Sequence, residues 1–81
     1  MVEAMGVKRG GRGKGIPMPE LRRHRLLQGY TVRELGDAAG VTHSTIVELE
    51  QGHRGAQGST LRKLAKALDV RTEELVGSAL D

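Results

Sequence analysis

Apolar residues recur along this chain at intervals of three or four, the spacing that buries one face of an α-helix. The clearest run lies in the C-terminal half and consists of Leu61, Leu64, Ala65 and Leu68. Shorter runs precede it and end at glycine, the residue that most easily adopts the left-handed backbone found at helix ends. The pattern predicts an all-α fold of five short helices.

Capping signals place the first two helices. Pro19 suits a first helical turn, where its missing amide hydrogen would have had no partner, so helix 1 is predicted over about residues 19–28. Thr31 and Glu34 have the spacing of a capping box and start helix 2. The inward residues of helix 2 are expected to be Leu35, Ala38 and Ala39.

The remaining helices follow from the same kinds of signal. Gly36 lies within helix 2 and is expected to cost about 0.5–1 kcal/mol of helix stability relative to alanine. Gly40 ends that helix, and Thr42 offers its hydroxyl to the first amides of helix 3. Ser59 is expected to cap helix 4 in the same way, and helix 5 is expected to begin near Thr72.

Several segments together carry a family resemblance. They are Tyr-Thr-Val-Arg-Glu-Leu at 30–35, Gly-Val-Thr at 40–42, Leu-Glu-Gln-Gly at 49–52 and the leucine run at 61–68. Together with Ile46, they resemble the Cro/phage-repressor (XRE-type) helix-turn-helix family. The resemblance implies a five-helix, lambda-repressor-like DNA-binding domain whose recognition helix lies in the major groove.

The resemblance also divides the chain. Residues 1–18 are expected to form a flexible Gly-, Arg- and Lys-rich arm, residues 19–77 the helix-turn-helix domain, and residues 78–81 a C-terminal tail. Within the domain, the helix-turn-helix motif covers about residues 31–51 and the recognition helix about residues 43–51.

The recognition helix carries the expected DNA contacts. His43, Ser44 and Glu48 match the base-reading positions of the family, although each can also be read as a merely exposed residue. Glu48 is unusual there, because its negative charge repels phosphate. It can accept a hydrogen bond from the N4 amine of cytosine, or its repulsion of phosphate can exclude wrong sites. Backbone or auxiliary contacts are expected from Thr42, Thr45, Val47, Arg33, His53, Arg54, Lys8, Arg9, Arg12 and Lys14.

Arg25 and Glu50 are expected to form a structural ion pair. In the family an arginine at this position pairs with the glutamate of Glu-x-Gly, and both residues are present here. The resemblance implies a partly buried, bidentate ion pair between helices 1 and 3. His24 and Val32 depart from the family pattern: His24 replaces a core aliphatic residue, and Val32 replaces a glutamine whose phosphate contact is therefore not carried over.

Basic residues are concentrated near the N-terminus. Residues 1–25 contain seven Lys and Arg residues against two Glu residues, whereas residues 26–81 contain six against eight acids. This asymmetry is typical of a protein end that meets a polyanion, although short basic tails also serve solubility alone. Without a periodic apolar pattern the basic arm is expected to be disordered, and to lie along phosphates or in a minor groove on DNA.

The composition excludes several other classes of protein. The chain has no Cys, which excludes disulfides, thiolate metal sites and a cysteine nucleophile. No apolar run approaches the roughly 20 residues of a membrane span. His43 and His53 lack further ligands at metal spacing, and no set of nucleophile, base and acid is arranged for catalysis. We therefore expect a cytoplasmic protein that is not an enzyme and that binds no metal, cofactor or small-molecule ligand.

These observations predict a small prokaryotic, phage or plasmid transcription regulator that binds double-stranded DNA at specific sequences. Repression is favoured over activation, because no activation or ligand-binding domain is visible. A homodimer on a pseudo-palindromic site is also favoured. Val76, Ala79 and Leu80 are candidates to extend the dimer contact, unless the end of the chain frays. Val76 has a second interpretation, in which it packs helix 5 together with Val70 and Leu75. The alternative is a protein-interaction module on the same fold, such as an antitoxin or an RNA-polymerase accessory factor.

Overall fold

The structure is a computed structural model that describes residues 15–77, and this range contains five α-helices. They are α1 (Leu21–Leu27), α2 (Val32–Ala39), α3 (His43–Glu50), α4 (Gly58–Leu68) and α5 (Thr72–Val76). α2 packs against α3 and α4, while α5 packs against α1 and α4, and α1 also contacts α3. The predicted all-α, five-helix fold is therefore confirmed.

A single apolar core lies between the helices, and every helix contributes to it. Burial of this apolar surface is the main favourable term in folding, because short helices are marginally stable alone. The core residues are Met18, Leu21, Leu35, Ile46, Leu49, Ala56, Leu61, Leu64, Ala65, Leu68, Leu75 and Val76. Among the charged residues of the range 15–77, Arg25 of α1 is also buried, with 8% of the whole residue exposed.

The turn between α2 and α3 depends on two glycines. Gly40 ends α2 with a φ of 71°. The carbonyl of Gly36 accepts two hydrogen bonds, from the amide of Gly40 at 2.8 Å and from the amide of Val41 at 3.0 Å. A Cβ atom on Gly36 would lie 2.6 Å from the Val41 carbonyl oxygen. Gly36 is therefore more than the weak helix former that the sequence suggested, because its missing side chain lets the backbone before α3 lie against α2.

The prediction for the start of helix 1 was wrong by two residues. Pro19 and Glu20 form a turn, and α1 begins at Leu21. The amide of Glu20 donates to the carbonyl of Leu75 at 3.1 Å, so this turn is tied to α5. A contact between residues so distant in the sequence leaves no local signal.

The predicted cap of helix 4 was also wrong, and the predicted inward face of helix 2 was wrong at one residue. Helix α4 begins at Gly58 after Gln57, no side chain caps it, and Ser59 lies exposed within its first turn. In α2 the predicted inward residues Leu35 and Ala39 are buried and partly buried against the core, whereas Ala38 is exposed. Gly36 is the other buried residue of this helix. The prediction that helix 5 begins near Thr72 is confirmed.

Residues 15–18 pack onto the domain and do not belong to the arm, contrary to the predicted boundary at residue 18. Ile16 and Ala56 exchange two backbone hydrogen bonds, of 2.8 and 2.9 Å, in an isolated antiparallel bridge. Met18, two residues further, is only 2% exposed. Residues 1–14 of the predicted arm and residues 78–81 of the predicted tail lie outside the described residues.

Candidate nucleic-acid interface

The start of α3 is fixed by Thr42. Its hydroxyl accepts from the amide of Thr45 at 3.4 Å and lies 2.9 Å from the Thr45 hydroxyl. From this cap onward, Ile46 and Leu49 face the core, with exposed fractions of 0% and 2%. Because one side of a helix this short is fully used for packing, its opposite side faces outward.

The three predicted base-contacting residues lie on this outward side. His43, Ser44 and Glu48 are all exposed. Ser44 and Glu48 are four positions apart, so they lie above one another on one face of α3. Thr45 and Val47 are half-buried and border the exposed face. The structure therefore brings these side chains together on one helix surface that is open to a partner.

An ion pair holds α3 against α1. The Nε of Arg25 donates to Oε2 of Glu50 at 2.6 Å, and Nη2 donates to Oε1 at 3.1 Å. The third donor, Nη1, reaches the carbonyl of Tyr30 at 2.8 Å. The hydrogen bonds to Glu50 raise the pKa of Arg25 above its usual value, against the opposing effect of burial. The guanidinium is therefore charged, and its three hydrogen bonds all go to oxygen acceptors.

A second ion pair lies on the exposed side of α3, and sequence reasoning missed it. Nη1 of Arg54 lies 3.3 Å from Oε1 of Glu48. Gly52, with a φ of 78°, reverses the chain after α3, and the amide of His53 then donates to the carbonyl of Glu48 at 3.0 Å. Gly52 was visible in the sequence as a helix stop. The signal that could have found the pair is that such a turn returns the next residues to the last turn of the helix.

The other predicted contacts are distributed around α3. Arg33 is exposed near the start of α2, and His53 is exposed in the loop after α3. Lys8, Arg9, Arg12 and Lys14 lie outside the described residues. Gly15, to which that segment is covalently attached, lies against Gly55, since a Cβ on Gly15 would be 2.6 Å from the Gly55 carbonyl carbon.

The predicted dimer contact is contradicted at Val76. This residue is 5% exposed and belongs to the core of its own chain, while Ala79 and Leu80 lie outside the described residues. The large exposed apolar side chains of the described region are instead Leu26 and Leu27 of α1, at 57% and 68% exposure.

Two further findings concern residues 15–77 only. No cluster of three or more His, Asp or Glu side chains in this range is suited to hold a metal ion. No helix in the same range has the length and apolar character needed to cross a membrane.

The described features define a class of protein. Two short helices are joined by a glycine turn, and the second helix is held by the core on one side and exposed on the other. This is a helix-turn-helix domain. The chain belongs to the helix-turn-helix family, since the family model described as "Helix-turn-helix" matches residues 21–75. The resemblance to the XRE-type family is thereby confirmed.

Known proteins of the same kind are similar to this chain. Over 66 residues it is 39% identical to RghRB of Bacillus subtilis (strain 168), described as an uncharacterized HTH-type transcriptional regulator. That alignment covers 80% of this chain and 45% of the relative, so the chain spans less than half of the relative's length.

Two solved structures share the fold. The restriction-modification controller protein C.AhdI from Aeromonas hydrophila has a TM-score of 0.67 at 32% identity, with 69% of this chain and 85% of that chain covered. The clp gene regulator ClgR from C. glutamicum has a TM-score of 0.65 at 26% identity, with 75% and 83% covered.

Proposed function

We propose that this chain binds double-stranded DNA at specific sequences and regulates transcription. The observation that carries the proposal is the joint exposure of His43, Ser44 and Glu48 on the outer side of α3. Membership of the helix-turn-helix family supports it, as does similarity to proteins named as regulators. The chain contributes a preformed helix that fits the major groove, which is about 12 Å wide.

The rigidity of α3 follows from its supports. Ile46 and Leu49 bind it to the core, Gly36 allows its N-terminal turn to lie close to α2, and the Arg25–Glu50 pair joins its last turn to α1. A helix that is already ordered loses little conformational entropy on binding, so more of the contact free energy remains for affinity.

Each candidate contact residue has a defined role in this proposal. His43 and Ser44, in the first turn of α3, contact base edges with groups that can both donate and accept hydrogen bonds. Glu48, one turn later, accepts from an exocyclic amine. The remaining candidates make the phosphate, sugar or thymine-methyl contacts that set the register. They are Thr42, Thr45, Val47, Arg33 and His53.

We also propose an oligomeric state, a regulatory effect and a location for this chain. The chain binds as a homodimer to a pseudo-palindromic site with half-sites one helical turn apart, about 34 Å. It acts as a repressor by covering promoter DNA, and its place is the cytoplasm. Doubling the interface gives a site length and affinity that one small domain does not reach.

The test is selection of bound fragments from random duplex DNA, followed by binding measurements on the enriched sequence. The wild-type chain is expected to enrich one motif, and a symmetric motif supports the homodimer. His43→Ala and Ser44→Ala are each expected to change the ratio of affinities for the preferred and the other bases by roughly fivefold or more. The free energy of unfolding is expected to stay the same. Ser59→Ala is the matched control, because Ser59 is exposed on α4 and caps nothing. Unchanged selectivity in both α3 variants would contradict the proposed contacts.

A further inference from the structure

The pair formed by Glu48 and Arg54 occupies the surface assigned to DNA. The two side chains are 49% and 48% exposed, and Nη1 of Arg54 lies 3.3 Å from Oε1 of Glu48. An ion pair this exposed contributes little to folding stability. Its position among the base-reading residues is therefore the more informative property.

The backbone that carries Arg54 is held at both ends. Before it, the amide of His53 donates to the carbonyl of Glu48 at 3.0 Å. After it, Ala56 is 3% exposed and exchanges two hydrogen bonds with Ile16. Arg54 therefore starts from a backbone that is fixed relative to α3.

A lone carboxylate is poorly suited to this surface. Glu48 would enter a groove bordered by two rows of phosphates, and like charges repel. A guanidinium on Oε1 cancels this repulsion, while the carboxylate keeps further acceptor positions on Oε2. Arg54 supplies that guanidinium from outside the helix.

We propose that Arg54 is a positioning residue for Glu48, and that the pair selects cytosine. Arg54 holds Oε1, which leaves Oε2 to accept from the N4 amine of a cytosine in the major groove. The inference rests on the proposed function and deepens it, because it assigns a base to one position of the site. It also replaces the expectation that Arg54 contacts phosphate.

A double-mutant cycle distinguishes an Arg54 that positions Glu48 from an Arg54 that contacts phosphate. The full-length variants are Glu48→Gln, Arg54→Gln and their combination, each assayed by selection from random duplex DNA and by titration over a range of salt. Arg71→Gln is the matched control, since Arg71 lies 3.4 Å from Glu73 in another exposed ion pair, at the start of α5. Thermal unfolding verifies that each variant is folded.

If Arg54 positions Glu48, Arg54→Gln reduces the preference for cytosine at one position by about fivefold or more. Glu48→Gln changes the preference at that same position, and adding Arg54→Gln to it changes nothing further there. Arg71→Gln leaves the preference intact.

A uniform loss of affinity for all sequences in Arg54→Gln, with the salt slope lowered by about one in both backgrounds, identifies a phosphate contact and overturns the inference. In that case the proposed function still stands. If the wild-type chain enriches no sequence, the proposed function itself fails.

Discussion

Arg25 and Glu50 join the first and third helices through two parallel hydrogen bonds, of 2.6 and 3.1 Å. Their side chains are 10% and 8% exposed. Tyr30 adds a carbonyl acceptor at 2.8 Å, so the guanidinium is satisfied on three nitrogens. The pair thereby fixes the C-terminal turn of the helix that presents His43 and Ser44.

Removing either partner of this pair is expected to destabilise the fold by about 3–5 kcal/mol, because the remaining charge stays buried without its counterpart. The variants are Arg25→Ala and Glu50→Ala, and the measurement is urea unfolding. Arg23→Ala is the control, since Arg23 pairs with Glu20 at 3.7 Å while 64% exposed, and it is expected to lose at most about 1 kcal/mol.

A double replacement separates burial of charge from packing. Arg25→Met combined with Glu50→Leu leaves no unpaired charge, so it is expected to lose less stability than either single alanine variant. Equal and small losses in Arg25→Ala and Arg23→Ala would show that the buried pair has no special weight.

Gly36→Ala is expected to destabilise the protein although alanine favours helices. The added Cβ would lie 2.6 Å from the Val41 carbonyl oxygen, so the backbone leading into α3 has to move. The expected loss exceeds about 1 kcal/mol, as in other overpacked sites, and DNA affinity falls because α3 shifts. Gly58→Ala is the matched control, since its Cβ would meet only the end of the flexible Arg62 side chain at 3.4 Å.

The control is expected to be neutral or to gain up to about 1 kcal/mol, the ordinary benefit of alanine over glycine in a helix. If Gly36→Ala gains as much as Gly58→Ala, the close approach of Val41 does not constrain the turn.

The sequence predicted those features whose partners are near one another in the chain. Thr31 and Glu34 form their capping box with hydrogen bonds of 2.9 and 3.0 Å, and they are three residues apart. The Arg25–Glu50 contact spans 25 residues, and its prediction came from the family resemblance rather than from local pattern.

Other contacts could not be predicted, because they depend on where separate elements meet. The bridge between Ile16 and Ala56 joins two segments without regular structure. The approach of Val41 to Gly36 depends on the angle of the turn between α2 and α3. Ser59 had the right residue type for a cap, but the N-cap position of α4 is Gln57, two residues earlier, so Ser59 lies inside the first turn and caps nothing.

Gly15 is expected to be more sensitive than Gly52, although both have left-handed backbones with φ of 61° and 78°. A Cβ on Gly15 would lie 2.6 Å from the Gly55 carbonyl carbon, whereas a Cβ on Gly52 would meet nothing within 4 Å. Gly52→Ala therefore loses only the backbone term, about 1–2 kcal/mol. Gly15→Ala also loses the bridge.

Amide hydrogen exchange measures this difference directly. In Gly15→Ala the amides of Ile16 and Ala56 are expected to lose protection, because each donates to the other's carbonyl in the wild type. In Gly52→Ala both amides keep their protection. Retained protection in Gly15→Ala would mean that the segment tolerates a side chain at its crossing with Gly55.

The basic N-terminal segment is expected to contribute to DNA affinity through charge alone. Its attachment point, Gly15, lies against Gly55, which belongs to the loop after α3 that also carries His53 and Arg54. Replacing the four basic residues by glutamine keeps the length of the chain and removes its charge. These residues are Lys8, Arg9, Arg12 and Lys14.

The expected result is a lower slope of log affinity against log salt, by about 0.9 for each phosphate that the segment no longer neutralises, with the preferred sequence unchanged. Deletion of residues 1–14 is expected to give the same slope as the glutamine variant, because only the positive charges of this segment contribute to its binding of DNA. Arg62→Gln is the control for loss of a positive charge elsewhere, because Arg62 is exposed on α4. An affinity that falls without any change of slope would show that the segment binds through interactions other than ionic ones, since only displaced counterions make the affinity depend on salt in this way.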